Sequence, residues 1–159
     1  MNHFDDDDDF EEMSEEERDE LNREYEAKRR AVKSHPLMKS GREVFDLLNA
    51  LIDTIEDEDK QSMFNYLRED ASIMLTKIAG ALASDSRLIS LGSAAIIRQH
   101  AYTLLISTHT LGEFTDTDNS YIKLFRTEME LFKEVFVKWM KEVHAMDRDG
   151  EEDDWGVFI

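Results

Sequence analysis

The sequence predicts an all-α chain: an antiparallel up-down-up-down four-helix bundle with an extra charged N-terminal helix and two acidic tails. Three observations lead there. Four segments between residues 36 and 146 repeat apolar side chains in steps of three and four, the period of an amphipathic helix. None alternates in steps of two, as a half-buried strand does. One proline and six glycines interrupt the 159 residues, and short links between segments of similar length favour antiparallel neighbours.

Taken in order, residues 1–13 form an acidic run whose like charges repel, which predicts a tail without fixed structure. Residues 14–35 read as a peripheral helix. Ser14 and Glu17 stand at capping-box spacing, acids crowd the start, and Lys28, Arg29, Arg30 and Lys33 crowd the end, as the helix dipole favours. Its apolar stripe is thin, chiefly Leu21, Tyr25 and Val32, and His35-Pro36 ends it.

The bundle is expected over residues 36–146. Its first helix, about 37 to 56, carries Val44, Leu48, Leu51 and Ile55 on one face. The second, about 59 to 82, carries Met63, Leu67, Ala71, Met74, Ile78 and Leu82. The third begins after a cap at Ser84 or Asp85 and is expected to end at Gly112. The fourth, about 118 to 146, has Ile122, Phe125, Met129, Phe132, Phe136, Trp139 and Val143 in register. Residues 147–159 form the second tail.

The formal charge of -18 is unevenly placed: ten acids and no Lys or Arg in residues 1–17, and six acids with one Arg in residues 145–159. Between 36 and 144 stand 17 acids and 12 bases. Phosphate is repelled by most of such a surface, so nucleic acid is a disfavoured partner and a basic protein a better one. The absence of cysteine excludes disulfides and thiolate ligands. With no basic region followed by an apolar run at the N-terminus, the expected location is cytoplasmic.

Residues 88–111 stand apart, because Arg98 is their only formal charge in a chain that is 35% charged. Ser, Thr, Gln and His interrupt them too often for a membrane span, which needs about 18 or more consecutive apolar residues. A helix without a charged side is buried on more than one side. The third helix is therefore expected to pack both into its own bundle and against a second copy, with Ser90, Ser93, Ile97 and His100 as interface residues. The rival is a free, weakly polar face for a different partner.

Several chemistries were weighed against plainer roles. A di-iron bundle needs Glu-x-x-His, which this chain lacks. His109 and Glu113, one turn apart near a helix end, read as capping or solvated residues ahead of a metal pair. DTDNSY at 116–121 begins like a calcium loop but has Tyr121 and Thr127 where glycine and a bidentate glutamate are required, so helix capping is expected. Neither phosphate-cradling glycine motif occurs. Glu69 and Asp70 are adjacent and face different directions on a helix. No cofactor, metal or catalytic set is therefore expected.

The segment YLREDASIMLTKIAGALASDSR resembles the helix signature of a small bacterial four-helix-bundle family, first noticed as open reading frames inside ribosomal-RNA intervening sequences. The matching positions are Leu67, Arg68, Ala71, Ser72, Ile73, Ile78, Ala79 and Gly80. Met74 stands where that family commonly has proline, and Lys77 where it has asparagine. The resemblance implies an antiparallel four-helix bundle that forms ring-like homo-oligomers, with no established enzyme activity.

Both tails set dense acid beside large apolar residues, and the C-terminal one ends in Trp155, Val157, Phe158 and Ile159. Two roles are open to it: a solubilising tail whose apolar end folds back on the bundle, or a linear motif docking Trp155, Phe158 and Ile159 into a groove-bearing partner. The functional expectation is a non-enzymatic homo-oligomeric scaffold. The alternatives are a helical nucleic-acid-processing enzyme using Arg29 and His35, at the Arg-five-residues-His spacing of certain helical ribonucleases, and a bundle binding a small ligand through the third helix.

Overall fold

The computed structural model describes residues 14–147. These form six α-helices with no strand among the described residues: α1 Glu15–Ser34, α2 Pro36–Asp53, α3 Glu58–Met63, α4 Tyr66–Ala83, α5 Arg87–Phe114 and α6 Asn119–Ala145. The expectations for residues 1–13 and for Trp155, Phe158 and Ile159 fall outside the described residues.

Helix α1 starts where the capping box places it. The Glu17 N–H donates to Ser14 Oγ at 3.3 Å, and the Ser14 N–H donates to Glu17 Oε2 at 2.8 Å. The Ser14 hydroxyl, donating to Glu17 Oε2 at 2.8 Å, and then the Ser14 N–H hold the Glu17 carboxyl below the usual glutamate range. No α1 side chain is buried, although the helix touches both α2 and α4. A single residue joins it to α2. His35 takes the extended conformation that a following proline demands, and its Nδ1 accepts from the Leu37 N–H at 3.1 Å.

Helix α2 buries Val44, Leu48, Leu51 and Ile52 as its periodicity requires. The next segment departs from expectation, since the chain does not run as one helix from 59 to 82. Asp57 caps the short α3 through the Lys60 N–H, and the backbone then bonds at three-residue spacing from Gln61 to Phe64, Phe64 to Leu67 and Asn65 to Arg68. That tighter turn advances the phase of the side chains. Phe64 enters the core at 3% exposure, and Met63, expected inside, stands 65% exposed. Beyond the turn, α4 buries Leu67, Ala71, Met74 and Ile78 as predicted, with Ala81 replacing Leu82 as the last fully buried position.

Two further boundaries move. Ser86, not Ser84 or Asp85, caps α5, its Oγ accepting from the Ile89 N–H at 3.3 Å. Helix α5 also continues past Gly112 to Phe114. A Cβ at Gly112 would lie 2.9 Å from Ile122 Cδ1, so this glycine serves close approach to α6 and not termination. At the start of α6, Asp118 Oδ1 accepts the Ser120 N–H at 2.7 Å, and this bond keeps its carboxyl below the usual aspartate range. The capping reading of DTDNSY therefore holds. Along α6, Phe132, Phe136 and Trp139 form a series with centroids 6.3 and 5.7 Å apart.

Packing is pairwise and closes on itself: α4 lies most extensively on α5, α5 on α6, α6 on α2 and α2 on α4. Tyr66 meets Ser107 at 3.1 Å, Asp70 meets His100 at 2.7 Å, and Ser90 approaches the Ala81 carbonyl at 3.5 Å. Rising numbers on α4 meet falling numbers on α5, so these two run antiparallel. Between α2 and α6, burial first and then the neighbouring Glu43 carboxylate push the Glu128 carboxyl above the usual glutamate range.

Two substitutions separate packing from helix propensity. Gly80 has nothing within 4 Å of a built Cβ, so Gly80→Ala is expected to stabilise the chain by about 0.5–1 kcal/mol in urea unfolding. At the buried Gly41 the same atom meets Ile78 Cδ1 at 2.9 Å and Leu75 Cδ2 at 3.1 Å. Gly41→Ala is expected to lose that gain, and Gly41→Val to cost about 2–3 kcal/mol through overpacking. A third test follows from Glu128. An acid whose pKa rises on folding contributes stability at low pH that is lost as pH rises through the raised value. Glu128→Gln is therefore expected to exceed the parent in stability at neutral pH, the difference closing near pH ~4 in paired denaturation curves.

Candidate functional site

Helix α5 buries two flanks and presents a third. Ile97, Leu104 and Leu111 are fully buried, and Ser90 and Ala94 nearly so. Of the four residues expected at an interface between copies, Ile97 and Ser90 are thus consumed by the chain's own core. This corrects the expectation for both, because a side chain with no exposed surface offers a second copy nothing to touch. Ser93 and His100 keep partial exposure.

The polar content of α5 has a local explanation. The Thr103, Thr108 and Thr115 hydroxyls donate to the carbonyls of Gln99, Leu105 and Leu111 at 3.2, 2.7 and 2.7 Å. Hydroxyls satisfied by their own helix can be buried without a partner elsewhere. The third helix can therefore be poor in charge and rich in Ser and Thr while flanked by α4 and α6.

His100 has the acid partner that its sequence neighbourhood lacks. Asp70, thirty positions earlier, lies 2.7 Å from Nδ1, and the two side chains are 20% and 19% exposed. An ionised carboxylate only accepts, so Nδ1 carries the proton and the tautomer is set by the pair. Tyr66 and Ser107 extend this polar seam along α4 and α5. The seam's chemistry is interhelical adhesion: each polar group meets another across the contact.

The outward face of α5 follows Leu88, Gly92, Ala95, Gln99, Tyr102, Ile106, His109 and Glu113, in alternating steps of four and three. All but Leu88 and Gly92 are exposed, and no charged residue interrupts the series before Glu113. Ile89 and Ile96 flank it and are also exposed. This is the seam spacing of a helix that packs against another helix, and it is the candidate interaction surface. Sequence reasoning found the helix but missed the stripe, since Gly, Ala and Gln do not register as an apolar repeat. The alternating steps were the available signal.

On the α6 side of that stripe a groove of about 370 Å³ opens between α5 and α6. Met129 and Phe132 line its depth, Tyr102 and Val137 its sides, and Arg98, Glu130 and Lys133 its polar edge.

The remaining sequence candidates are engaged separately. Arg29 pairs with Glu26 at 3.3 Å on the exposed α1, while His35 uses Nδ1 as a helix cap. His109 contacts the Arg126 guanidinium, a cation where a metal ligand needs a free lone pair. Among the described residues no cluster of three His, Asp or Glu could hold a metal ion.

The α4–α5 pair yields a stability test. His100→Ala leaves Asp70 charged, mostly buried and without its partner, and is expected to cost about 1–3 kcal/mol in chemical denaturation. Asp70→Asn retains an acceptor for Nδ1–H and is expected to cost less. No family model, curated protein or solved structure matches this chain.

Proposed function

We propose that this chain is a non-enzymatic, self-associating interaction module. Its four long helices, α2, α4, α5 and α6, form an up-down-up-down bundle with α1 on the outside. The closed cycle of helix contacts supports the bundle reading, as does the antiparallel order of the α4–α5 pairs. The exposed stripe on α5 is the observation that carries the functional reading. A chain with net charge -18 repels its own copies wherever acids are displayed. It associates through the face that shows no acid before Glu113, and the small exposed Ala95 lets a second helix approach closely there. The resemblance of residues 66–87 to ring-forming bacterial bundles points the same way. No described helix is long and apolar enough to cross a membrane, and a cytoplasmic location is part of the proposal.

The small-ligand reading has less support. Ser107 and Thr108, which such a ligand would need, are buried and bonded to Tyr66 and to the Leu105 carbonyl.

The test is the mass of the full chain by light scattering, from about 1 to 100 µM. A discrete oligomer is expected. Ala95→Glu with Ile106→Glu, both at exposed positions, is expected to weaken association at least tenfold while leaving helix content unchanged. A monomeric parent across that range, or an oligomer indifferent to both charges, overturns the proposal.

A further inference from the structure

We propose that the groove between α5 and α6 is the seat of this chain's own C-terminal segment, residues 151–159, with Trp155 and Phe158 as the inserted side chains. Three independent features argue for this occupant. The first is shape and chemistry. Phe132, Met129 and the half-buried Phe136 give the groove an aromatic and thioether depth, and Tyr102 and Val137, 59% and 48% exposed, stand open at its sides. Large rings fill such a site best.

Charge is the second. The segment runs Glu151, Glu152, Asp153, Asp154, Trp155, placing four acids directly before the first anchor. Arg98 and Lys133 border the groove together with Glu130. Arg98 forms no ion pair among the described residues, and the Lys133–Glu130 pair is exposed on both sides and weak. An acidic segment therefore gains a partner for Arg98 without breaking a strong one. Arg98, the single formal charge within residues 88–111, stands at the edge of this groove.

Reach is the third. From Ala145 back along α6, Val137 lies about 12 Å away and Met129 about 24 Å. The eight residue-to-residue steps from Asp147 to Trp155 span up to about 29 Å when extended, so the segment reaches the groove within one chain. A tethered occupant acts at millimolar effective concentration. The N-terminal acidic run is the poorer candidate, because α1, the helix it precedes, packs on α2 and α4.

The seat shares Tyr102 with the outward stripe of α5, and its test reads it separately from self-association. The full chain labelled with 5-fluorotryptophan gives two ¹⁹F resonances, from Trp139 and Trp155, assigned with Trp155→Phe. In the parent the Trp155 resonance is expected to lack the solvent isotope shift of an exposed indole. Val137→Asp and Arg98→Glu, both at exposed positions, should each move it to the exposed value with helix content unchanged. Protection should persist on hundredfold dilution and in the Ala95→Glu, Ile106→Glu variant. An exposed Trp155 in the parent overturns the inference. So does protection that ignores both groove substitutions, which would place the segment elsewhere, or protection lost on dilution, which would place it in a second copy.

Discussion

Helix α5 is held on two flanks at once, by α4 and by α6, and the rest of the molecule depends on that double burial. A helix gripped on both sides has no room for charged residues along those flanks, because each would need an intrachain partner in a low-dielectric contact. The residues that meet this constraint are aliphatic at Ile97, Leu104 and Leu111, and hydroxyl-bearing at Thr103 and Thr108, where the helix's own carbonyls absorb the donors. His100, which enters the α4 contact, arrives with its carboxylate. The scarcity of charge in residues 88–111 is first a packing requirement, and the uncharged outer stripe is what remains once that requirement is met.

Much of the fold was legible in residue order because each long helix carries one wide apolar face. Val44, Leu48 and Leu51 on α2 and Ile122, Phe125, Met129 and Phe132 on α6 are buried as their spacing dictates. The failures are equally physical. Periodicity counts residues and cannot see a tightened turn, so the phase change at Phe64 was invisible and Met63 was placed inside. Gly112 carries the signature of a helix end, yet its missing side chain is used by Ile122, a residue ten positions later. Propensity describes a residue alone; packing describes it with its neighbour.

The candidate site was legible in outline and not in detail. Composition pointed to the correct helix, since charge scarcity is a property of a whole segment. It could not tell the inner face from the outer, and so Ser90 and Ile97 were grouped with Ser93 and His100. The Asp70–His100 pair and the α5–α6 groove arise from contacts between elements distant in sequence, and no local pattern encodes them. The acidic ends were legible as charge and as aromatic content, and the groove beside Arg98 is the seat proposed for the C-terminal one.

The contact between α2 and α6 joins two constraints. Helices α4 and α5, and α5 and α6, are neighbours in sequence, so their pairing closes only short loops. The α2–α6 contact brings Glu43 beside Glu128, 85 positions later, and closes the longest loop in the cycle of helix contacts. This seam also carries the carboxylate whose ionisation burial opposes. The entropy of loop closure and the cost of charging Glu128 thus fall on the same pair of helices.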